Sequence, residues 1–372
     1  MVIDRRRFVR ATAAAGGDFL FCRCQLGETA VASALQPAAG RRQVVIAGRR
    51  VRTIDMHSHV FVGDVLPLIK DRKEADAGLA NLARTPMAVD AATIARRLSD
   101  MDRQGIDLHV LSVHPGQFFY WADADLSARI IKTQNEKIAE ICAARPDRFV
   151  GLGAVSIQHP TQVAVEMDYA VTKLGLRGFI LGGNINGDEL ADPRFDPFWK
   201  KAEELGVVVF VHPSVSDLGG KRLAGAGALA NTIGFPLDTT IALAHMIFEG
   251  FLDRFAGIKI LAAHGGGFLP SYVGRFENCH DLQAACQKMK KAPIDHLKGP
   301  QLYFDSLVYR PQNVRHLVDV AGAGQIVIGT DFGFDIASTT PVDTVLQTPG
   351  LSPEQQVAIL GGNAARLLKL AN

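Results

Sequence analysis

The chain has 372 residues, of which 48% are hydrophobic and 21% are charged, a composition typical of globular proteins. This length is too great for one simple core unless the architecture is a barrel or a large α/β fold, which commonly forms one domain of about 250 residues or more. The net charge is +2 and the basic residues are scattered, so no nucleic-acid-binding face is expected, and no apolar run of roughly 18 residues predicts a membrane-spanning helix. The cysteines lack the spacing of a disulfide framework: Cys22 and Cys24 lie in the N-terminal tail, and we expect Cys142, Cys279 and Cys286 to be buried or helical thiols.

The first 40 residues differ from the rest of the chain. Adjacent arginines and an alanine-rich stretch in DRRRFVRATAAAGG resemble a bacterial twin-arginine export signal, and the small residues at 32–34 would suit a signal peptidase. Asp18 and Arg23 interrupt the hydrophobic region, so a disordered basic leader on a cytoplasmic protein is the alternative. We therefore assign residues 1–40 to a leader and residues 41–372 to the folded domain.

The first apolar run of this domain ends in the sequence IDMHSHV. Side chains at i and i+2 of a strand point to the same face, so Asp55, His57 and His59 are expected to line up together. Two imidazoles at this spacing can bind a single metal ion, although polar residues at a strand end are also common. The choice between these interpretations depends on further ligands downstream.

Eight short apolar runs follow one another along the domain, and most are continuous rather than alternating, as in parallel strands buried on both faces. Their ranges are 51–57, 106–113, 149–155, 177–182, 207–212, 258–264, 302–306 and 325–331. Helix-length segments separate them; the first of these segments has Asp90 as a candidate N-cap and Gly105 near its end. This alternation predicts a (β/α)8 TIM barrel, and a doubly wound sheet is less favoured because no glycine fingerprint follows the first strand.

Polar residues stand where the predicted strands end, which is the active-site face of a (β/α)8 barrel. The five such residues are His57, His59, His212, His264 and Asp331. One strand-end histidine alone is more often structural, but five groups at one barrel mouth indicate a metal site. Three imidazoles and a carboxylate suit zinc, or another divalent ion such as manganese, cobalt or iron. We therefore predict His57, His59, His212 and Asp331 as ligands of one metal ion.

At this point the sequence resembles the amidohydrolase superfamily, whose first strand carries HxH and whose eighth strand ends in Asp. The segment AAHGGGFLPSYVGRFE (262–277), with RPDRFVGLGAV, VFVHP, GFPLDTTIAL and VIGTDFGF in order, is similar to the α-amino-β-carboxymuconate-ε-semialdehyde decarboxylase group over about residues 52–370. Many superfamily members bridge two metals with a lysine at the end of the fourth strand. The corresponding RGFILGGN has no lysine, which favours a single metal.

The resemblance implies a role for each of these residues. His57, His59, His212 and Asp331 would hold the metal, with Asp331 also part of the catalytic group. His264 would be the acid/base beside a metal-bound hydroxide, because four ligands already complete the shell and a catalytic metal needs an open position.

Two arginines are implied as substrate-binding residues. Arg275, eleven residues after His264, would hold a substrate carboxylate across a homodimer interface, and Arg84 is the nearest candidate for a second arginine after the first strand. The family tryptophan that follows His-Pro is Ser214 in this chain, and GTDYPF is replaced by GTDFGF. Both departures fall in the pocket and bear on which substrate is bound.

The implied activity is non-oxidative decarboxylation of a conjugated or aromatic carboxylic acid, that is, a carboxy-lyase reaction. A metal-dependent hydrolase or hydratase that acts on a lactone, an ester or an unsaturated diacid is the alternative, since one fold supports many reactions. A non-catalytic barrel is a third hypothesis, and the intact set of five polar residues argues against it.

Overall fold

The computed structural model describes residues 40–75, 78–214, 218, 220–225 and 227–371. Nearly all of the predicted leader, residues 1–39, therefore lies outside the described residues. Among the described helices, none combines the length and apolar character needed to cross a membrane.

Eight parallel strands form a closed barrel. They are β1 (Ile54–Val60), β2 (Leu108–Val113), β3 (Phe149–Gly151), β4 (Gly178–Leu181), β5 (Val208–Val211), β6 (Lys259–Ala262), β7 (Leu302–Asp305) and β8 (Ile326–Val327). Strands β1 to β3 and strands β4 to β8 pair in sequence order. Parallel bridges Gly153–Phe179, Asp55–Ile328 and Ser58–Phe332 close the two seams. The predicted (β/α)8 fold is confirmed.

Helices alternate with the strands and cover the outside of the barrel. The long helices are α1 (Ala91–Gln104), α2 (Ala124–Ala144), α3 (Pro160–Thr172), α4 (Asp196–Leu205), α5 (Phe235–Phe248), α6 (Leu269–Leu282) and α7 (Pro311–Ala321). Shorter helices are Leu66–Ile69, Leu79–Leu82, Phe251–Arg254, Pro293–Leu297, Pro341–Leu346, Pro353–Val357 and Asn363–Leu367. Helix α1 starts and ends as its sequence predicts, because the Asp90 carboxylate accepts hydrogen bonds from the N–H groups of Ala92 and Thr93, and Gly105 adopts a φ of 77° after the last turn.

The amino end of the barrel is held by a network of charged side chains. Asp107, just before β2, accepts hydrogen bonds from Arg50 Nη1 at 3.0 Å and from the backbone N–H of Thr53 at 2.8 Å, and it forms an ion pair with Arg41. Arg148, just before β3, donates from Nε to the Asp107 carbonyl at 3.0 Å. These contacts tie the entries of three strands to the hairpin Val45–Ile46/Arg49–Arg50.

Two sequence predictions need correction. The first strand begins three residues later than predicted, and β8 is shorter than its predicted range, although isolated bridges at Ile328 and Phe332 continue its pairing with β1. Cys279 and Cys286 form a disulfide, with Cα atoms 5.8 Å apart, so the expectation that they are free thiols is wrong. The chain turns back after α6, which brings the two cysteines together. Cys142 is free and partly buried, as expected.

Candidate metal centre

The HxH pattern of β1 places two imidazoles on one side of the strand, inside the barrel. Both side chains are buried, and the Nε2 atoms of His57 and His59 are 3.1 Å apart. The register of β1 against β2 shifts between Asp55 and Ser58, so the strand is irregular at the histidines. The predicted alignment of the two rings is confirmed.

Three further residues reach the same point from other strands. His212 follows β5, His264 follows β6, and Asp331 follows β8. One ligand atom from each of His57, His212, His264 and Asp331 lies within 4.8 Å of the other three. Asp331 Oδ1 is also 3.2 Å from His59 Nε2. All five predicted residues are therefore brought together at the carboxyl ends of the strands.

Hydrogen bonds at Nδ1 orient three of the four imidazoles. His57 Nδ1 lies 2.7 Å from Asp305 Oδ2, His59 Nδ1 lies 3.3 Å from the Val113 carbonyl, and His212 Nδ1 lies 2.7 Å from the Pro213 carbonyl. A carboxylate or a carbonyl can only accept, so each Nδ1 carries the proton and each Nε2 faces the cluster. This is the usual arrangement of metal-binding histidines, whose second nitrogen donates to an outer group.

His264 differs from the other three histidines. Its Nδ1 is buried, but among the described residues it has no hydrogen-bond partner. Its Nε2 is 3.6 Å from Asp331 Oδ2, and its side chain is 15% exposed, whereas the side chains of His57 and His59 are fully buried. Distance alone does not distinguish His264 from the three other histidines, whereas its free Nδ1 and its greater exposure do.

The three glycines after His264 are required by the backbone. Gly265, Gly266 and Gly267 all have positive φ angles, between 63° and 78°. A Cβ on Gly267 would lie 2.1 Å from the Pro236 carbonyl oxygen, and one on Gly266 would lie 2.7 Å from the Phe304 ring. The HGGG segment therefore lets α5 and β7 pack closely against the turn that carries His264.

Asp305 was not among the predicted site residues. It is fully buried at the end of β7, where its carboxylate accepts hydrogen bonds from the N–H groups of His264 and Gly265, both at 2.9 Å, in addition to its contact with His57. It therefore fixes the ring of His57 and the turn of His264 together. The strand-end argument that identified Asp331 could also have identified Asp305.

A buried polar network supports the cluster from behind. Asp55 accepts hydrogen bonds from the N–H groups of His57 and Thr330, and it lies 3.3 Å from His109 Nε2. Arg97, also fully buried, contacts His109 Nδ1 at 3.3 Å and donates to the His59 carbonyl at 2.5 Å. β1, β2 and α1 are thus joined directly behind the two histidines.

The electrostatics of the cluster fit a cation. Burial lowers the pKa of His57, but the negative charges of Asp331 and Asp305 raise it to about 10. His212 Nε2 and Asp331 Oδ1 have no hydrogen-bond partner among the described residues. A divalent cation would satisfy these orphaned atoms and would replace the proton that His57 otherwise retains. The donor set therefore fits one metal ion.

Neither predicted arginine forms part of this cluster. Arg275 lies on α6 and Arg84 lies in the turn after the helix Leu79–Leu82; both are exposed. Among the described residues, neither guanidinium group forms a hydrogen bond or an ion pair. The structure thus gives no local partner for either of them.

Comparison with known proteins identifies the family of this chain. Residues 54–370 match the family model described as Amidohydrolase, and the chain therefore belongs to the amidohydrolase family. The 2-amino-3-carboxymuconate-6-semialdehyde decarboxylase of Dictyostelium discoideum is 31% identical over 278 residues, which are 74% of this chain and 76% of that protein. The gamma-resorcylate decarboxylase of Rhodococcus jostii is 26% identical, over 74% of this chain and 87% of that protein.

A solved structure with the same fold contains a metal ion. It is 5-carboxyvanillate decarboxylase from Novosphingobium aromaticivorans, complexed with manganese and 4-hydroxy-3-methoxy-5-nitrobenzoic acid. It superposes with a TM-score of 0.74 at 22% identity and covers 86% of this chain and 96% of its own. The predicted resemblance to the carboxymuconate-semialdehyde decarboxylase group is confirmed by these matches.

Proposed function

We propose that this protein is a metal-dependent non-oxidative decarboxylase that acts on a conjugated or aromatic carboxylic acid. The observation that carries the proposal is the difference among the four histidines: Nδ1 forms a hydrogen bond in three of them, and Nδ1 of His264 has no partner among the described residues. The two curated relatives and the solved structure are all named decarboxylases, which supports the reaction class.

His57, His59, His212 and Asp331 would hold one divalent cation, which as a Lewis acid would polarise the substrate and stabilise negative charge. Three nitrogens and one oxygen suit zinc, the ion that we expect, and also accommodate manganese, the ion bound in the solved relative. Elemental analysis of the purified protein should find one divalent ion per chain. Protein that neither contains a metal nor binds one would support the non-catalytic hypothesis.

His264 would move the proton in the reaction. A proton from its imidazole adds to the carbon that bears the carboxylate, and this carbon becomes tetrahedral. The bond to the carboxylate then breaks, CO2 leaves, and the electron pair restores the conjugated system. An imidazole suits both delivery and recovery of a proton at neutral pH.

The substrate carboxylate would be bound by Arg275 of a second copy of the chain, with Arg84 as a second candidate. Arg275 is exposed, and on the same helix Tyr272 is 58% and Leu282 is 73% exposed. Exposed apolar side chains around an unpaired arginine support a homodimer in which α6 meets the partner.

The reaction class is tested by CO2 release over a panel of hydroxybenzoates and muconate-type acids with the metal-loaded protein. We expect CO2 in proportion to substrate consumed. Consumption of a lactone, an ester or an unsaturated diacid without CO2 would instead support the hydrolase or hydratase alternative.

The role of Arg275 is tested by mixing two inactive chains, Arg275→Ala and His264→Ala. Each hybrid dimer would contain one site with both residues intact, so random mixing should restore about a quarter of the wild-type activity. Absence of recovery in dimers shown to be mixed would place Arg275 in the site of its own chain or outside any site.

We also propose that the chain is exported by the twin-arginine route. The Cys279–Cys286 disulfide supports this proposal, because disulfides persist in oxidising compartments. Cell fractionation should find the full chain in the periplasm, and a double change of Arg5 and Arg6 to Lys should retain it in the cytoplasm. Wild-type protein confined to the cytoplasm would contradict export.

A further inference from the structure

A cavity of about 680 Å³ lies at the carboxyl ends of β2, β4 and β5, within the size range of small-molecule sites. Its wall includes Ser214, two residues after His212, so the cavity extends to the strand end that carries a proposed ligand. The segment after β2 supplies an aromatic wall, in which the rings of Phe118 and Tyr120 stack with centroids 5.4 Å apart. This wall suits a planar substrate.

Asp238 of α5 lines the same cavity and is only 3% exposed. Asn184 Nδ2 donates to its Oδ1 at 3.0 Å, and the backbone N–H of Ser214 also interacts with the carboxylate, whereas Oδ2 has no hydrogen-bond partner of good geometry among the described residues. A buried carboxylate oxygen without a donor is costly, and burial raises the pKa of Asp238. Gly183 leaves space for this carboxylate, because a Cβ at that position would lie 2.3 Å from Asp238 Oδ2.

Glu189 adds a second carboxylate to the residues that line the cavity. Its Oε2 also has no hydrogen-bond partner among the described residues, and its Oε1 lies 3.7 Å from Nε2 of His245. No lysine or arginine is among the described residues that line the cavity. The cavity therefore favours a hydrogen-bond donor and disfavours a second carboxylate.

We propose that this cavity binds the end of the substrate remote from the metal, and that Asp238 accepts a hydrogen bond from a hydroxyl or amino group there. The inference rests on the proposed function, which places the other end of the substrate at the metal ion. It narrows the substrate class to conjugated or aromatic acids that carry a donor group away from the carboxylate. It excludes diacids whose second carboxylate would enter this cavity.

The test compares paired probes in binding to the metal-loaded full chain, by titration calorimetry. The probes are 3- and 4-hydroxybenzoate and their methyl ethers, 3- and 4-methoxybenzoate, which lack the donor. A hydrogen bond to a charged group is worth roughly tenfold or more in affinity, so at least one hydroxy acid should bind about tenfold more tightly than its ether. Asp238→Asn should reduce this ratio to about threefold or less.

Two further variants complete the design. Asp188→Asn makes the same change on an exposed residue of the hairpin Asn184–Ile185/Asp188–Glu189, outside the cavity wall, and should keep the ratio. Glu189→Gln removes the second carboxylate of the cavity wall, which also favours a donor, so it should lower the affinity ratio between hydroxy acid and ether. It leaves the contact of Asp238 with Asn184 in place, which keeps the test valid if Asp238→Asn fails to fold.

The outcomes separate this inference from the proposed function. Equal affinity within every pair, or a ratio unchanged in both Asp238→Asn and Glu189→Gln, would overturn the inference. If none of the acids bound the metal-loaded wild type, the proposed carboxylate substrate would fail and the inference with it. Metal-dependent binding without a preference for hydroxy acids would refute the inference alone.

Discussion

The two ends of the barrel use similar charged residues but pair them differently. At the amino end, the Asp107 carboxylate is surrounded by donors from Arg41, Arg50 and Thr53. At the carboxyl end, buried atoms of His212 and Asp331 have no hydrogen-bond partner among the described residues. A satisfied network stabilises the fold, whereas unsatisfied buried atoms are tolerated where a ligand binds.

Among the described residues other than glycine, positive φ angles are more frequent at the carboxyl end, although Ala47 and Lys369 at the amino end also have them. At the carboxyl end, Phe119, His264, Tyr309 and Asp331 adopt φ angles between 48° and 62°, which are unfavourable for residues other than glycine. Such residues persist where the surrounding structure holds them, and they cluster at functional sites. We infer that the amino end mainly provides stability and the carboxyl end mainly provides chemistry.

The largest effect is expected from a ligand at the carboxyl end. His212→Ala removes one of three proposed nitrogen ligands, so the protein should lose its metal and CO2 release should fall to background. Metal per chain and activity are measured on the same sample, and the melting temperature of the metal-free protein serves as the control for folding. Stoichiometric metal in this variant would show that the ligand set is misassigned.

A smaller effect is expected one contact further out, at Asp305. Asp305→Asn weakens the support of His57 and of the turn at His264, and loss of such outer contacts typically costs about 10- to 100-fold in metal affinity. Competition with a chelator measures this change. Asp319→Asn, which affects only an exposed ion pair with Arg315, is the matched control. Equal metal affinity in the two variants would contradict the role of Asp305.

The smallest effect on activity is expected at the amino end. Asp107→Asn should lower the free energy of unfolding by about 1–3 kcal/mol at pH 7 through loss of charged hydrogen bonds, with little change in turnover below the melting temperature. Urea unfolding of this variant and of Asp319→Asn measures the difference. A loss of activity without a loss of stability would reverse the proposed division between the ends.

The difference in stability between wild type and Asp107→Asn should depend on pH. Burial tends to raise the pKa of Asp107, but hydrogen bonds and charges from Arg50, Thr53 and Arg41 lower it below its unfolded value. The stabilisation by the carboxylate is therefore fully present above a pH of about 4 and is lost as the pH falls through the lower folded pKa. The difference in stability between wild type and Asp107→Asn should shrink in acid; a constant difference would contradict the assigned cause.

Much of the fold could be predicted because its signals are local. The continuous apolar runs identified all eight strands, since strands buried on both faces need apolar residues at every position. His57, His59, His212, His264 and Asp331 were also accessible, because a barrel brings the carboxyl ends of its strands to one face.

Features that depend on packing across the barrel were missed. The strand-end position of Asp305 is visible in the sequence, but its role in holding His57 and the turn of His264 depends on three contacts made after folding. The Cys279–Cys286 disulfide depends on how the chain turns after α6, which the spacing of the cysteines does not determine. The free Nδ1 of His264 is likewise visible only when its neighbours are in place.

The central claim is that His264 is the proton-transfer residue while His57, His59, His212 and Asp331 hold the metal. The most direct measurement is metal content together with turnover for His264→Asn, with His212→Ala in parallel. The account predicts that His264→Asn retains close to one metal per chain and remains folded while turnover falls by at least about a hundredfold, the usual cost of losing a general acid or base. Loss of metal from His264→Asn as complete as that from His212→Ala would make His264 a ligand and contradict the account.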